Sequence, residues 1–493
     1  MRERLRLAGK AFLFSCLMGL MIYGINRTLT PKYRHSSINP LTETFRGFYR
    51  MERDTVDVLF LGSSQTAAGF NPQNLYDEFG IRSYNLGSNH QSLWLSYYWL
   101  KEALRYQSPR AVVLDCYELY IDGRKEEGNA RLALDDMRWG AVKKEAVDTV
   151  CGFDKSQSRQ GYLLTNIRFH TRWTGMSETD FTWAEMASVP QLKGFWLYKD
   201  ICGYEGFVPF AVEPSREEEF LPEAREYLDK ILKLCSEEGI RLILVKTPTL
   251  AQSLEKHNTI MGWARLNGLD FIDFNEREIY REAGLDYRAD MNDTSDTGYK
   301  NAHANPAGAR KMTCYLGAVL RDRYGIGPCD DKQWESTREF NDGVWKDFLL
   351  HNETDLSRYL AAVKDQRYTV FFSVKEKGPA YAGREQEELM RDMGLAAPWR
   401  EGEVQPYISV IEKGAVKEEQ TGDGRMYKLG AFRDGEVIYQ MVSGEAECSV
   451  RINRVEQAKS RPGLNIVVYS NDTESVIDSV CFDICSPQLT AYR

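Results

Sequence analysis

Apolar runs alternate with amphipathic stretches from residue 56 onward. The runs are bounded by Gly, Pro or polar residues, which is typical of buried strands. They are VDVLFLG (56–62), IRSYNLG (81–87) and PRAVVLDCYEL (109–119). Between them lie two predicted helices, one over 71–80 opened by Asn-Pro and an amphipathic one over 92–106 with Ser92 as its cap. This alternation predicts a parallel sheet with helices on both faces.

The pattern is interrupted over residues 124–212, which are polar, aromatic and irregular and predict an insertion over one end of the sheet. It then returns as a helix, two strands and a long final helix. These segments are residues 222–239, 240–249, 269–275 and 306–325. The sequence therefore predicts one α/β domain over residues 45–328.

The composition changes after a polar, Gly- and Pro-bearing boundary at residues 325–343. Five strand-like runs follow, separated by Gly, Asp or Asn turns, with one helix over residues 384–394. We expect a second, mostly β domain over residues 345–493.

The N-terminus combines a basic flank, MRERLRLAGK, with an uncharged apolar stretch over residues 11–25. As a helix this stretch spans about 22 Å, against a hydrocarbon core of roughly 30 Å. A cleaved signal peptide and a signal anchor are both consistent with it. The absence of an A-x-A-like site, and the ability of Lys10 and Arg27 to snorkel, favour the anchor. Residues 1–30 are then a cytoplasmic flank and a single transmembrane helix in the cell membrane, with the rest of the chain outside.

Charge and cysteine content argue against a nucleic-acid-binding protein and against a zinc protein. The net charge is −9, and no Lys/Arg cluster lies away from the N-terminus, so nucleic acid is not an expected partner. The ten cysteines form no C-x-x-C pair with a matching His or Cys pair, so no metal site is predicted.

The candidate functional residues lie in three loops at the predicted carboxyl ends of strands, which is where ligands bind in open α/β sheets. The first is residues 62–64 (Gly-Ser-Ser), the second residues 85–89, and the third residues 290–312. Each loop alone also has an ordinary structural interpretation, such as a helix cap or a solvated acidic loop. Their joint placement at one sheet edge is what indicates a site.

The third loop is the most informative. Asn305-Pro306 opens a helix, which puts His303 just ahead of it on the loop. Asp290, Asp293 and Asp296 precede it, so a carboxylate is available to orient the imidazole. Serine, histidine and aspartate together provide a nucleophile, a general base and its orienting group.

Three segments resemble the SGNH/GDSL hydrolase superfamily: LFLGSSQTAAGF (59–70), YNLGSNHQSLWLSYYWLKEAL (84–104) and AHANPAGARKMTCYLG (302–317). The nearest branch is extracytoplasmic and modifies the cell envelope, similar to the D-alanine-transfer protein of teichoic-acid modification and to alginate O-acetyltransferases. The resemblance covers roughly residues 50–325. It implies a three-layer α/β/α fold with Ser64 as nucleophile and His303 as base, and an oxyanion hole formed by the backbone N–H groups of Ser64 and Gly87.

Two departures from that family stand out. The usual acid lies three residues before the histidine, where this chain has Lys300, so we assign the acid to Asp296, with Asp293 as runner-up. The family's oxyanion-donating Asn has no clear counterpart. Asp115 and Glu118 occupy that stretch, and their negative charges would repel an oxyanion. An inactive enzyme, or one of narrowed activity, is therefore an alternative.

The C-terminal region resembles the interleukin-like EMT inducer domain, through YTVFFSVKEKG (368–378), LMRDMGL (389–395) and RPGLNIVVYSNDTESVIDSVCFD (461–483). That resemblance implies a β-rich accessory module, in some proteins associated with carbohydrate binding. The alternative is a generic β-sandwich that packs against the catalytic domain.

These observations predict a membrane-anchored, extracytoplasmic SGNH-like acyltransferase. It would move O-acyl groups, in the first instance O-acetyl groups, onto a cell-surface polysaccharide without a metal or organic cofactor. The resemblance adds a polytopic membrane acyltransferase as a partner, because the acyl group must cross the membrane. The alternatives are a carbohydrate esterase (deacetylase) of the same fold and a non-catalytic glycan-binding or envelope-assembly protein.

Overall fold

The computed structural model of the protein describes residues 2–30, 41–176, 180–181, 190–201, 206–292, 302–376, 378–400, 402–422 and 424–493. The chain divides into two compact units, Met1–Arg338 and Glu339–Arg493. Element numbers below run over the described residues.

The first unit is built on a parallel sheet, as the sequence predicts. Its strands are β1 (Val58–Leu61), β2 (Ser83–Asn85), β3 (Ala111–Asp115), β4 (Arg241–Lys246) and β5 (Asp270–Asp273). Their order is β2-β1-β3-β4-β5, and every neighbouring pair is parallel. The strand β2 is added on one side of β1, and β3 on the other side. The order of strands therefore reverses between β1 and β3, and open α/β sheets bind ligands at such a point. A two-stranded antiparallel ladder, β6 (Met291–Asn292) and β7 (His303–Ala304), stands apart from this sheet.

Helices cover both faces of the sheet. They are α1 (Arg2–Leu29), α2 (Leu41–Phe48), α3 (Ser64–Gly69), α4 (Pro72–Phe79), α5 (Leu93–Ala103), α6 (Glu127–Leu134), α7 (Ala141–Phe153), α8 (Arg159–Leu163), α9 (Thr165–Phe169), α10 (Pro222–Glu237), α11 (Leu254–Leu266), α12 (Arg277–Glu282), α13 (Tyr287–Asp290), α14 (Pro306–Tyr324) and α15 (Lys332–Glu335). Two of them begin at Asn-Pro as predicted. The side chains of Asn71 and Asn305 accept hydrogen bonds from the first backbone N–H groups of α4 and α14.

The helix α1 contains the one described stretch that is long and apolar enough to cross a membrane, Arg4–Leu29, and none of its most apolar window is buried. Its 26 residues correspond to about 39 Å of helix, longer than the roughly 30 Å hydrocarbon core.

The predicted irregular insertion is wrong in its first third. Residues 127–134 and 141–153 form α6 and α7, and Val142, Ala146, Val147 and Val150 of α7 belong to the main hydrophobic core. These apolar residues recur at helical spacing, a signal that the neighbouring charged residues obscure. A second difference lies in PRAVVLDCYEL, where the strand ends at Asp115 and Tyr117–Tyr120 form a 3₁₀ helix.

The second unit is mostly β, as predicted. Its helices are α16 (Arg338–His351), α17 (Leu356–Ala362) and α18 (Arg384–Asp392). Its strands are β8 (Tyr368–Lys375), β9 (Gly378–Pro379), β10 (Trp399–Arg400), β11 (Glu403–Val404), β12 (Tyr407–Glu412), β13 (Ala415–Thr421), β14 (Met426–Phe432), β15 (Val437–Ser443), β16 (Cys448–Ile452), β17 (Val455–Glu456), β18 (Gly463–Ser470), β19 (Ser475–Phe482) and β20 (Ala491–Tyr492). Much of the polar boundary segment is helical, in α15 and the start of α16.

Two antiparallel sheets of this unit share one apolar layer. The larger has the order β13-β12-β8-β18-β19-β20 and the smaller β14-β15-β16-β17. Phe371 and Val467 of the larger sheet belong to the same buried cluster as Tyr439 and Met441 of the smaller one, so the sheets form a sandwich.

Candidate active site

Ser64 and His303 meet at the carboxyl edge of the parallel sheet. Ser64 is the first residue of α3, directly after β1, and His303 lies in β7, just before α14. The Nε2 atom of His303 lies 2.8 Å from Oγ of Ser64, and both side chains are buried. This distance satisfies the geometric requirement for a nucleophile and its general base.

The turn after β1 separates the roles of the two serines. Gly62 has a φ of +146°, and a Cβ atom on it would lie 2.5 Å from Cβ of Asp115, so the turn needs glycine. The Oγ atom of Ser63 accepts a hydrogen bond from the backbone N–H of Gln65 and thereby caps α3. Ser63 is the structural cap, and Ser64 is left to face His303.

Asp115, at the end of β3, binds this turn. Oγ of Ser63 donates to its Oδ2 at 2.7 Å, and the backbone N–H of Tyr117 donates to its Oδ1 at 3.1 Å. Burial raises the pKa of Asp115 to about 6, although these hydrogen bonds favour the ionised form. The carboxyl group of Asp115 thus fixes the hydroxyl of Ser63 through a hydrogen bond.

The raised pKa makes stability depend on pH in a defined direction. The unfolded chain loses this proton near pH 4 and the folded chain near pH 6, so stability falls as pH rises through this window. We expect the free energy of unfolding of the wild type, minus that of Asp115→Asn, to fall by about 2.4 kcal/mol between pH 4 and pH 7. Urea titrations of both proteins at several pH values measure this difference. A difference that does not change with pH would contradict the raised pKa of Asp115.

Gln65 connects the nucleophile turn to the histidine loop. Its Nε2 donates to the backbone carbonyl of Ala302 at 3.1 Å, and its Oε1 accepts from Oγ1 of Thr247 at 2.9 Å. The residue after Ser64 thus fixes the residue before His303. The sequence gives no sign of this role for Gln65, because an amide inside a short helix carries no distinctive pattern.

We expect Gln65→Leu to lower kcat by about 10- to 100-fold with little change in KM, because His303 loses the support that sets its position. Thr247→Val is the matched control. It removes one donor to Gln65 but keeps the hydrogen bond to Ala302, so its effect should be smaller. Steady-state ester hydrolysis measures both, and equal losses in the two variants would exclude this positioning role.

The predicted insertion provides one wall of the site. The ring of Tyr198 stacks on the imidazole of His303, with ring centroids 4.7 Å apart, and burial raises the pKa of Tyr198 to about 12. Gly194, with a φ of +85°, approaches so closely that a Cβ atom would lie 1.8 Å from the carbonyl oxygen of Asn85. The backbone N–H of Trp196 donates to the carbonyl of Ala67 in α3. Residues 190–201 therefore pack directly on α3 and on the end of β2.

The backbone N–H of Gly87 donates to Oδ1 of Asn85 at 3.0 Å. Oδ1 is held in place because Nδ2 of the same amide donates to the carbonyls of Thr66 and Phe70. An oxyanion would share or displace this internal acceptor, and the oxyanion hole of Ser64 and Gly87 stays a prediction.

The predicted acid Asp296, its runner-up Asp293 and Lys300 lie outside the described residues. The third candidate, Asp290, forms an ion pair with Lys311. Its two carboxylate oxygens lie 2.9 and 2.7 Å from Nζ of Lys311, and its Oδ2 also accepts from the backbone N–H of Asp286.

Glu118, whose charge is expected from the sequence to repel an oxyanion, is hydrogen-bonded to His90. Its Oε1 lies 3.1 Å from Nδ1 of His90, and this hydrogen bond raises the pKa of His90. The carboxylate is buried and the imidazole half-exposed. Among the described residues, no group of His, Cys, Asp or Glu could hold a metal ion.

The arrangement defines an α/β protein with a serine–histidine pair at the sheet's carboxyl edge. No protein-family model and no curated protein sequence matches the chain. Among solved structures it is similar to a Bacteroides fragilis NCTC 9343 protein described as a candidate acylhydrolase. The two are 11% identical with a TM-score of 0.28, and the match covers 59% of this chain and all of the other. A likeness this low says nothing about the substrate of this chain.

Proposed function

We propose that the protein is a serine-dependent O-acyltransferase that modifies a cell-surface polysaccharide outside the membrane. The observation that carries this proposal is the 2.8 Å separation between Oγ of Ser64 and Nε2 of His303. The resemblance of residues 59–70 and 302–317 to SGNH hydrolases supports the same roles.

In the first half-reaction, Nε2 of His303 takes the proton of the Ser64 hydroxyl as Oγ attacks the carbonyl carbon of the acyl donor. Negative charge builds on the carbonyl oxygen, next to the backbone N–H of Ser64. The tetrahedral intermediate collapses, the bond to the donor's oxygen breaks, and that oxygen receives the proton from His303. The acyl group is now an ester of Ser64.

In the second half-reaction, His303 takes a proton from a sugar hydroxyl as that oxygen attacks the acyl carbon. The bond to Oγ of Ser64 then breaks, and His303 returns the proton to Oγ. If water attacks instead, the protein is an esterase. The two reactions share the acyl-enzyme on Ser64 and differ in the acceptor that attacks it.

For location, α1 is the proposed anchor, since its apolar residues 11–25 follow the basic flank of residues 2–10. This places the N-terminus in the cytoplasm and Ser64 outside. Sugar binding by the second unit and a polytopic acyl-carrying partner stay predictions.

The test uses the full-length chain in detergent with 4-nitrophenyl acetate as donor and a panel of neutral oligosaccharides as acceptors. We expect 4-nitrophenolate release together with acetylated oligosaccharide, detected by mass spectrometry. Release with free acetate alone would assign the esterase. Release no faster than that of Ser64→Ala would contradict both activities.

A further inference from the structure

Four large apolar side chains remain exposed within one short segment of the first unit, described over residues 163–176 and 180–181. They are Leu163, Ile167, Trp173 and Phe181, with exposed fractions of 57%, 45%, 70% and 65%. The first two lie in α8 and α9, and Trp173 lies in the 3₁₀ helix His170–Gly175 that follows. Such a concentration on a water-facing surface indicates an interaction site.

This segment is hydrogen-bonded to the last turns of α1. The backbone N–H of Asn166 donates to Oδ1 of Asn26 at 2.6 Å, and Nη1 of Arg172 donates to the carbonyl oxygen of Leu29 at 2.7 Å. Leu29 ends the stretch that is long and apolar enough to cross a membrane. If α1 spans the bilayer, the segment lies where the helix leaves the hydrocarbon core.

The arginines of the segment are already paired. Arg168 forms an ion pair with Glu127, and Nη2 of Arg172 binds Oδ1 of the buried Asp180 at 2.9 Å. The surface therefore offers apolar and aromatic groups with little unpaired positive charge. Tryptophan and phenylalanine beside a helix end are typical of side chains at the lipid headgroup level.

We infer that residues 163–176 and 180–181 lie on the outer surface of the bilayer and insert their exposed apolar side chains among the lipids, as a second membrane contact beside α1. The contact rests on the proposed anchoring by α1, but not on catalysis by Ser64. Tyr198, which covers His303, belongs to the same predicted insertion, so this stretch of chain provides both the membrane-facing segment and a wall of the site. The occupant of the surface is phospholipid, and its recognition does not depend on headgroup charge.

Photocrosslinking of the full-length chain in phosphatidylcholine vesicles tests this inference. Benzoylphenylalanine replaces Trp173 in one variant and, as a matched control, Leu266 in another, since Leu266 is an apolar side chain 88% exposed at the end of α11. We expect a phospholipid adduct at position 173 that is several-fold more abundant than at position 266. Adding phosphatidylglycerol should leave that ratio unchanged.

Equal adduct yields at the two positions, in a chain that resists carbonate extraction, would overturn the inference while leaving the anchor intact. A crosslink between two chains at position 173 in place of lipid would also overturn it, as would a chain that carbonate extracts. Ester hydrolysis by the same variants is an independent readout, because neither position contacts Ser64 or His303. Failure of the lipid contact is thus distinguishable from failure of the proposed enzyme.

Discussion

Replacing Ser64 with alanine should lower kcat for 4-nitrophenyl acetate by about 10⁴-fold or more, the scale of loss when a serine nucleophile is removed. The reason is local. The Oγ atom of Ser64 lies within hydrogen-bond distance of Nε2 of His303, and the neighbouring serine cannot replace it. The hydroxyl of Ser63 points to Asp115 and caps α3.

Ser63→Ala is the matched control for this loss. It removes a cap and one donor to a buried carboxyl group, so it should cost about 1–2 kcal/mol of stability. Because Ser64 and His303 stay in place, most of the activity should remain in the folded fraction. If the two alanine variants lose activity equally, or Ser63→Ala loses more, the assignment of roles within residues 62–64 is wrong.

The second large effect concerns His303. His303→Gln should lower kcat nearly as far as Ser64→Ala, because an amide cannot accept the hydroxyl proton. Nucleophile and base act as one unit, so the double variant should be no slower than Ser64→Ala alone. Glutamine preserves most of the buried side-chain volume, and thermal unfolding monitors whether each variant is folded.

Additive losses in the double variant would contradict this account. They would mean that His303 contributes independently of Ser64, for example by supporting its loop. A His303→Gln chain with nearly full activity and unchanged stability would place the base elsewhere.

Patterns that act over short distances along the chain predicted much of this molecule. The buried strand before Gly62 and the Asn-Pro openings of α4 and α14 depend on local apolar runs and caps. They also predict that Ser64 and the loop of His303 lie at one sheet edge, because each follows a strand of the parallel sheet and the carboxyl ends of parallel strands share an edge. The pairing of two residues 239 positions apart could therefore be predicted from topology. The short β6-β7 ladder that holds His303 could not be predicted in this way.

The support around the pair could not be predicted. The stacking of Tyr198 on His303 and the bridge from Gln65 to Ala302 join distant parts of the chain, with no regular spacing between them. The role of Asp115 depends on burial. As sequence it is a charge next to the site, whereas in the fold it is a carboxyl group with a raised pKa that holds Ser63.

The central claim, that Ser64 is a nucleophile activated by His303, is tested most directly by covalent labelling. The full-length chain is treated with a fluorophosphonate, which reacts with activated serine hydroxyl groups, and then analysed by intact mass and peptide mapping. We expect one adduct per chain, located on Ser64, absent in Ser64→Ala and strongly reduced in His303→Gln. A folded chain that remains unlabelled, or an adduct on Ser63 or on a serine elsewhere, would contradict the account.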